Sequence, residues 1–142
     1  METAKILVVE DDADINGLLT AILKKQGYEV TSAFSGSEAG LCLQNGTYQL
    51  VLLDLMLPGI TGETLIEQIR GEYTMPILVI SAKGQEDKLK VLRMGADDFI
   101  SKPFDVEEVI ARVQAQLRRY TQFSIHKQEA GKLRFKQMTL DT

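Results

Sequence analysis

The sequence has very little of the chemistry that builds disulfides and soft metal centres. Among 142 residues it contains one cysteine, Cys42, one histidine, His126, and no tryptophan. A lone cysteine can form neither a disulfide within the chain nor a thiolate metal cluster, which fits the reducing environment of the cytoplasm. We therefore expect Cys42 to be a packing residue on a helix and His126 to be a solvated residue.

Long apolar runs are missing as well. No stretch approaches the roughly 20 apolar residues of a membrane-spanning helix, and the amino terminus lacks the layout of a signal peptide. We expect a cytoplasmic protein without a membrane partner. Apolar residues make up 44% of the sequence and charged residues 25%, proportions typical of a folded globular domain. The formal net charge of −4 argues against nucleic-acid binding by the chain as a whole.

Short apolar runs alternate with segments of helical periodicity along most of the chain. Runs that are apolar on both faces suit parallel strands covered by helices on both sides of a sheet. Strands are predicted at residues 6–9, 28–33, 50–53, 77–80 and 98–101, and helices at about 15–27, 35–46, 62–71, 85–94 and 105–119. Five β-α units in succession require a parallel sheet with right-handed crossovers, so the predicted fold class is α/β, a doubly wound sandwich.

Four of the five predicted strands are followed by charged or polar residues. These are Glu10, Asp11 and Asp12 after the first strand, Asp54 at the end of the third, Ser81 after the fourth and Lys102 after the fifth. Doubly wound sheets bind ligands outside the carboxyl ends of their strands. Each residue alone has an ordinary explanation as a cap, turn or solvated loop residue, and Asp12 fits a helix N-cap. Their conjunction at one edge of the sheet indicates a functional site.

Carboxylates gathered at one edge repel one another, by roughly 4 kcal/mol per pair at about 4 Å and an effective dielectric near 20. A cation relieves this repulsion, and oxygen ligands without histidine or cysteine favour Mg²⁺, or Mn²⁺ in its place. Lys102 adds a positive charge for an anion, and Ser81 adds a hydroxyl donor. These parts suit phosphoryl transfer, in which Asp54 itself is able to accept the phosphoryl group as an aspartyl phosphate.

Four segments carry a resemblance to a known family. They are residues 6–12 (ILVVEDD), 53–59 (LDLMLPG), Ser81-Ala82 and 95–104 (GADDFISKPF). Over about residues 4–119 the chain resembles the receiver domains of two-component response regulators. It is most similar to the winged-helix (OmpR/PhoB-like) branch, which joins a receiver to a DNA-binding domain. The resemblance implies a flavodoxin-like receiver fold whose five-stranded parallel sheet has the order 2-1-3-4-5.

The resemblance also implies roles for the residues at the edge of the sheet. Asp54 would be the phosphoacceptor, and Lys102, with a cis peptide bond to Pro103, would bind the phosphoryl group. Ser81 would be the switch hydroxyl and Phe99 the aromatic switch residue, although the branch more often has threonine and tyrosine at these positions. Serine keeps the hydroxyl donor, so we expect the switch to survive. Phenylalanine keeps the ring but cannot make the hydrogen bond of a tyrosine hydroxyl.

For the metal, the resemblance implies a Mg²⁺ ion, with Mn²⁺ as a substitute. Asp11 would bind it directly, Glu10 mainly through a water molecule, and Asp54 and the backbone carbonyl of Met56 would complete the protein ligands. A sensor histidine kinase would supply the phosphoryl group in a Mg²⁺-dependent reaction. We expect a phosphoacceptor signalling domain with slow autodephosphorylation, not an enzyme.

Assembly is a further implication of the resemblance. The branch forms homodimers through the fourth helix, the fifth strand and the fifth helix. Lys88 and Glu108 match one of its cross-subunit ion pairs, and Asp98 and Arg112 match another. Exposed ion pairs contribute only about 0–1 kcal/mol each. Phosphorylation is expected to shift the population towards the dimer and thereby switch transcriptional output.

The balance of charge changes sign near residue 120, where we expect a domain boundary. Residues 1–120 hold 12 Lys/Arg and 18 Asp/Glu, whereas residues 121–142 hold 4 Lys/Arg and 2 Asp/Glu. Residues 133–135 and 138–140 are predicted to form short strands, similar to the start of a winged-helix domain. The expected organisation is a receiver domain at 1–120, followed at 121–142 by a linker and the truncated start of a DNA-binding effector domain. DNA would be contacted only through that effector domain.

Three other functions remain open on the sequence. A Mg²⁺-dependent phosphohydrolase with an aspartate nucleophile typically needs a second aspartate two residues later, and this chain has Met56 there. A flavin-binding protein of similar topology would need a hydroxyl- and glycine-rich loop after the first strand, where this chain has three acidic residues. The third alternative is a receiver without a DNA-binding partner, and only the tail argues against it.

Overall fold

The computed structural model of the chain describes residues 3–137, with side chains described for residues 3–121. Within that range five parallel strands form one sheet, β1 (Lys5–Val9), β2 (Glu29–Ala33), β3 (Leu50–Leu53), β4 (Ile77–Ser81) and β5 (Asp98–Ser101). The helices are α1 (Ala13–Lys25), α2 (Gly36–Asn45), α3 (Gly62–Glu72), α4 (Gln85–Met94) and α5 (Val106–Gln137). The strand order is β2-β1-β3-β4-β5, which confirms the expected doubly wound topology.

Helices cover both faces of the sheet, which explains why its strands are continuously apolar. Successive side chains of β1 point to opposite faces. Leu7 and Val9 pack in a cluster with residues of α2, α3 and α4, whereas Ile6 and Val8 pack in a second cluster with residues of α1 and α5. Because all the strands run parallel, their carboxyl ends lie at the same edge of the sheet, and the loops that follow them meet there.

Polar side chains cap the amino-terminal ends of two of the helices. Ser35 Oγ accepts a hydrogen bond from the N–H of Glu38 at 3.1 Å, and the Glu38 carboxylate accepts one from the N–H of Phe34. Asp105 Oδ1 accepts a hydrogen bond from the N–H of Glu107 at 2.9 Å. Each side chain satisfies an N–H group that has no partner within its helix.

Arg70 near the end of α3 ties three segments together, and no sequence motif predicted this. Its guanidinium donates to the carbonyl oxygens of Tyr73 at 3.2 Å, Met75 at 3.0 Å and Gly95 at 2.8 Å. It also donates to the Asp97 carboxylate at 2.9 Å, and that carboxylate accepts the first N–H of β4. The planar fork of an arginine can serve several acceptors at once, so this side chain fixes α3 against the turn between α4 and β5.

The last helix is longer than predicted, and one strand prediction is wrong. α5 continues to Gln137, so residues 133–135 are helical and not a strand. Residues 138–140 lie outside the described residues. A helix that is already nucleated extends at little cost, and the chain has no proline after Pro103 to stop it. Although α5 is long, no helix of the described residues is apolar enough over a sufficient length to cross a membrane.

Candidate phosphoacceptor site

Three strand ends bring two carboxylates and an ammonium group together. Lys102 Nζ donates hydrogen bonds to Glu10 Oε1 at 2.8 Å and to Asp54 Oδ2 at 3.0 Å. Glu10 is 3% exposed and Asp54 is 6% exposed. The peptide bond between Lys102 and Pro103 is cis, as the resemblance implied. Residues that follow β1, β3 and β5 therefore meet in one partly enclosed group.

A third carboxylate completes a possible metal-binding set. Glu10, Asp11 and Asp54 each place one carboxylate oxygen within 4.8 Å of the other two, and Asp11 is the exposed member. With Lys102, three carboxylates (−3) and one ammonium (+1) leave a formal charge of −2. A small divalent cation matches that charge, and three hard oxygen donors are the kind of ligand that Mg²⁺ prefers. The residues present therefore fit the expected ion.

From the sequence, a metal ion was expected to relieve the repulsion among the carboxylates. In the structure, the Lys102 ammonium group already relieves part of it. Burial raises the pKa of Glu10, although its hydrogen bond from Lys102 opposes this. Burial also disfavours the charged form of Lys102, but the hydrogen bonds to Glu10 and Asp54 outweigh it and raise the pKa of Lys102 above its usual value. The ammonium group consequently stays protonated at neutral pH and acts as a fixed positive charge.

Backbone contacts hold Asp54 in place from both sides. The N–H of Asp54 donates to the carbonyl oxygen of Val9 at 3.0 Å, and Asp54 Oδ1 accepts from the N–H of Met56 at 3.2 Å. One carboxylate oxygen is thus bound by the backbone and the other by Lys102. The Met56 side chain is 60% exposed, so the loop beside Asp54 has an open side.

Gly62, the first residue of α3, lies against the backbone that carries Asp54. Its N–H donates to the carbonyl oxygen of Leu55 at 3.0 Å. A Cβ atom at this position would lie 2.5 Å from Leu55 Cα and 2.7 Å from the carbonyl oxygen of Asp54. Only glycine lets α3 approach this closely, so Gly62 sets the position of the loop after β3.

The two expected switch residues lie inside the protein on neighbouring strands. Ser81 is fully buried, and its Oγ accepts a hydrogen bond from the N–H of Lys83 at 3.2 Å. Lys83 Nζ in turn forms an ion pair with Glu63 Oε2 at 3.2 Å, which links the loop after β4 to α3. Phe99 is 5% exposed and packs in the cluster between the sheet and α2, α3 and α4. No motif in the sequence predicted the ion pair between Lys83 and Glu63.

Three of the four residues expected at a dimer interface, Asp98, Glu108 and Arg112, bind one another within the chain. Arg112 binds Asp98 through two contacts of 2.8 and 3.0 Å, and it binds Glu108 at 3.0 Å. Lys88 forms no ion pair with any residue whose side chain the structure describes. Asp98 and Arg112 are thus partners within the chain, and their side chains are 21% and 42% exposed.

Comparisons with known proteins agree with this geometry. Residues 6–114 match the family described as the response regulator receiver domain. Regulatory protein VanR of Enterococcus faecium is 45% identical over 121 residues, which cover 84% of this chain and 52% of VanR. The transcriptional regulatory protein YcbL of Bacillus subtilis is 42% identical over 137 residues, which cover 95% of this chain and 61% of YcbL.

Among solved structures, the BeF₃-activated N-terminal receiver domain of Klebsiella pneumoniae RstA superposes with a TM-score of 0.77 and 35% identity. That match covers 80% of this chain and 98% of the RstA chain. The chain spans about half to three-fifths of the length of the two curated relatives. With a matching fold, a matching family and relatives above 40% identity, the chain belongs to the response regulator receiver domain family.

Proposed function

We propose that this chain is the phosphorylation-switched receiver of a longer transcriptional regulator and that Asp54 accepts a phosphoryl group from a sensor histidine kinase. One observation carries the proposal. The carboxylates of Glu10, Asp11 and Asp54 cluster within 4.8 Å, and Lys102 Nζ lies 3.0 Å from the Asp54 carboxylate. A nucleophile, an oxygen donor set for a divalent cation and a fixed positive charge are the parts that phosphoryl transfer needs.

In the proposed transfer, a carboxylate oxygen of Asp54 attacks the phosphorus atom of a phosphohistidine. An O–P bond forms while the N–P bond breaks, and the imidazole nitrogen of the kinase keeps the electron pair and takes up a proton. Lys102 has three N–H donors, of which two serve Glu10 and Asp54. The third is available for a phosphoryl oxygen, so Lys102 helps to orient the group without releasing either carboxylate.

Glu10, Asp11, Asp54 and the carbonyl of Met56 are the proposed ligands of Mg²⁺, which when bound would neutralise negative charge between Asp54 and the phosphoryl oxygens. Asp11 is the exposed carboxylate of the set. Asp12, in contrast, caps α1 by accepting from the N–H groups of Asp14 and Ile15. We assign it a structural role.

We expect phosphorylation by a small phosphodonor such as acetyl phosphate to require the divalent ion. The reason is that the site carries a formal charge of −2 even with Lys102 in place, so a dianionic donor is repelled without a cation. The measurement is the intact mass of the protein after incubation with the donor and Mg²⁺, Mn²⁺ or excess chelator. Labelling that is equally fast in the chelator would contradict the metal assignment.

The switch in this proposal is a shift between two populations. The Ser81 hydroxyl would leave the N–H of Lys83 and donate to a phosphoryl oxygen on Asp54, drawing the loop after β4 with it. Phe99, already buried, would fill the space behind Ser81. Because Phe99 has no hydroxyl, the surface formed by α4, β5 and α5 would respond to the position of its ring and not to a hydrogen bond from it.

Transcriptional output would come from residues beyond this receiver. VanR is a regulatory protein and YcbL a transcriptional regulatory protein by name, and both are substantially longer than this chain. We take residues 1–120 as the receiver and residues 121–142 as the linker towards a DNA-binding effector domain, with DNA contacted only there. A dimer through α4, β5 and α5 would link phosphorylation of the receiver to DNA binding by the effector domain.

Exchanging the charges of Asp98 and Arg112 is expected to make dimerisation depend on mixing two variants. In a symmetric dimer each Asp98 would face Arg112 of the other protomer, so Asp98→Arg alone and Arg112→Asp alone each oppose like charges at both contacts. Mixed together they restore both pairs. With Mg²⁺ and beryllofluoride, size measurement should show each variant as a monomer and the mixture as a dimer.

The control for this experiment is Lys24→Glu, a charge reversal on α1 outside the proposed interface. It should dimerise with beryllofluoride like the unmodified chain. Circular dichroism on each variant checks that loss of the intrachain pair between Asp98 and Arg112 has not unfolded it. Single variants that dimerise as well as the unmodified chain would rule out this interface.

A further inference from the structure

A buried amide side chain, that of Asn16, forms hydrogen bonds that hold the loop between β1 and α1 against the sheet. Asn16 of α1 is 1% exposed. Its Nδ2 donates to the carbonyl oxygen of Glu10 at 3.0 Å and to the carbonyl oxygen of Ala33, at the end of β2, at 3.2 Å. The N–H of Glu10 donates to the same Ala33 carbonyl at 3.0 Å. Asn16 therefore connects the start of the loop between β1 and α1 to the neighbouring strand.

The oxygen of the Asn16 amide is occupied as well. Thr20 Oγ1 donates to Asn16 Oδ1 at 3.2 Å, and Ser32 Oγ lies 3.0 Å from the same hydroxyl group. With its oxygen bound to a donor, the amide has one orientation in which every hydrogen bond is made, and that orientation points Nδ2 at the loop. A polar network in which each member has a hydrogen-bond partner holds its groups in fixed positions.

We propose that Asn16 is a positioning residue for the metal-binding carboxylates of Glu10 and Asp11. The inference rests on the proposed function, since it concerns the same Mg²⁺ site. Mg²⁺ requires near-ideal octahedral geometry, so a small displacement of the loop separates its carboxylates from Asp54 by enough to weaken binding. Groups that orient metal ligands in this way typically change affinity by about 10- to 100-fold when they are removed.

Asn16 is the polar one among the three buried residues of α1. The other buried residues of this helix are Leu19 and Leu23, and they lie in the cluster between the sheet, α1 and α5. An apolar side chain at position 16 would leave the carbonyl oxygen of Glu10 without the amide donor that the structure gives it. Of these three buried positions, only 16 reaches the loop that carries the carboxylates.

The test compares Mg²⁺ affinity in Asn16→Ala and Leu19→Ala, measured by titration calorimetry at a temperature where circular dichroism shows both variants folded. Both lose buried contacts on α1, but only Asn16→Ala loses the hydrogen bonds to the loop. We expect Asn16→Ala to bind Mg²⁺ about tenfold more weakly and Leu19→Ala to bind it as the unmodified chain does. Thr20→Val, which removes the hydroxyl that orients the amide, should show a smaller loss and serves if Asn16→Ala does not fold.

The outcomes separate this inference from the proposed function. Unchanged Mg²⁺ affinity in Asn16→Ala, or in Thr20→Val if the first variant is unfolded, overturns the positioning role alone. An equal loss in Leu19→Ala does so too, because it would trace the effect to general destabilisation of α1. Failure of the unmodified chain to bind Mg²⁺ would refute the proposed function and this inference with it.

Discussion

The Asp54→Asn substitution is expected to abolish labelling of the chain by acetyl phosphate and to leave the fold and its melting temperature nearly unchanged. The amide has the shape of the carboxylate and can still accept the N–H of Met56, but it is not a nucleophile towards phosphorus. The variant loses the ion pair with Lys102 and also the repulsion by Glu10 and Asp11, two effects that oppose each other. Intact mass after incubation with donor and Mg²⁺, together with thermal melting, measures both parts of the prediction.

The matched control for Asp54→Asn is Asp87→Asn, the same substitution at a residue of α4 that is not part of the carboxylate cluster. It should be labelled at the rate of the unmodified chain. Persistent labelling of Asp54→Asn would mean that another carboxylate accepts the phosphoryl group, and mapping the modified peptide would identify it. The assignment of Asp54 would then be withdrawn.

The Gly62→Ala substitution is expected to destabilise the protein by about 1–3 kcal/mol or more, and to slow phosphorylation as well. Its Cβ atom would lie 2.5 Å from Leu55 Cα and 2.7 Å from the carbonyl oxygen of Asp54. Both are backbone atoms, so no side chain can rotate out of the way and α3 must move off the loop after β3. Denaturant unfolding gives the loss of stability, and the labelling rate reports the displacement of Asp54.

Gly71 on the same helix provides the contrasting case. A Cβ atom there would meet nothing within 4 Å, and the backbone of Gly71 is helical. Gly71→Ala should therefore leave labelling unchanged and stabilise the protein by about 0.4–1 kcal/mol, because alanine has less backbone freedom to lose on folding. If Gly62→Ala proved as stable as Gly71→Ala, the close approach of α3 to the loop would be wrong.

The fold was predictable because its signals are local and repeated. The ranges predicted for the fourth helix and the fifth strand, 85–94 and 98–101, match α4 and β5. Residues that end a helix or a strand mark the limits of each element, as Gly95 does after α4. The end of α5 was not predictable in this way, since no glycine or proline stands near residue 120 to stop the helix. The short apolar segment at 133–135 resembles a strand only while it is considered apart from the helix that precedes it.

The sequence predicted which residues lie together at the candidate site, because parallel strands bring their carboxyl ends to one edge of the sheet. It did not predict the contacts that these residues make. The resemblance implied that Lys102 binds the phosphoryl group, but its hydrogen-bonded ion pairs with Glu10 and Asp54 were not predicted. Within α1, the apolar Leu18 is 45% exposed, whereas the polar Asn16 is buried. Periodicity reports an average apolar face and carries no information about a polar partner on another strand.

The continuous length of α5 has a mechanical consequence. Its 32 residues extend about 48 Å at 1.5 Å per residue, and each residue advances the helix by about 100°. Anything attached beyond Gln137 is then joined through a stiff rod whose angular phase is fixed from Val106 onward. A small tilt at the sheet becomes a displacement of several ångströms at the far end, and inserting a single residue would turn the attached part through more than a quarter of a circle.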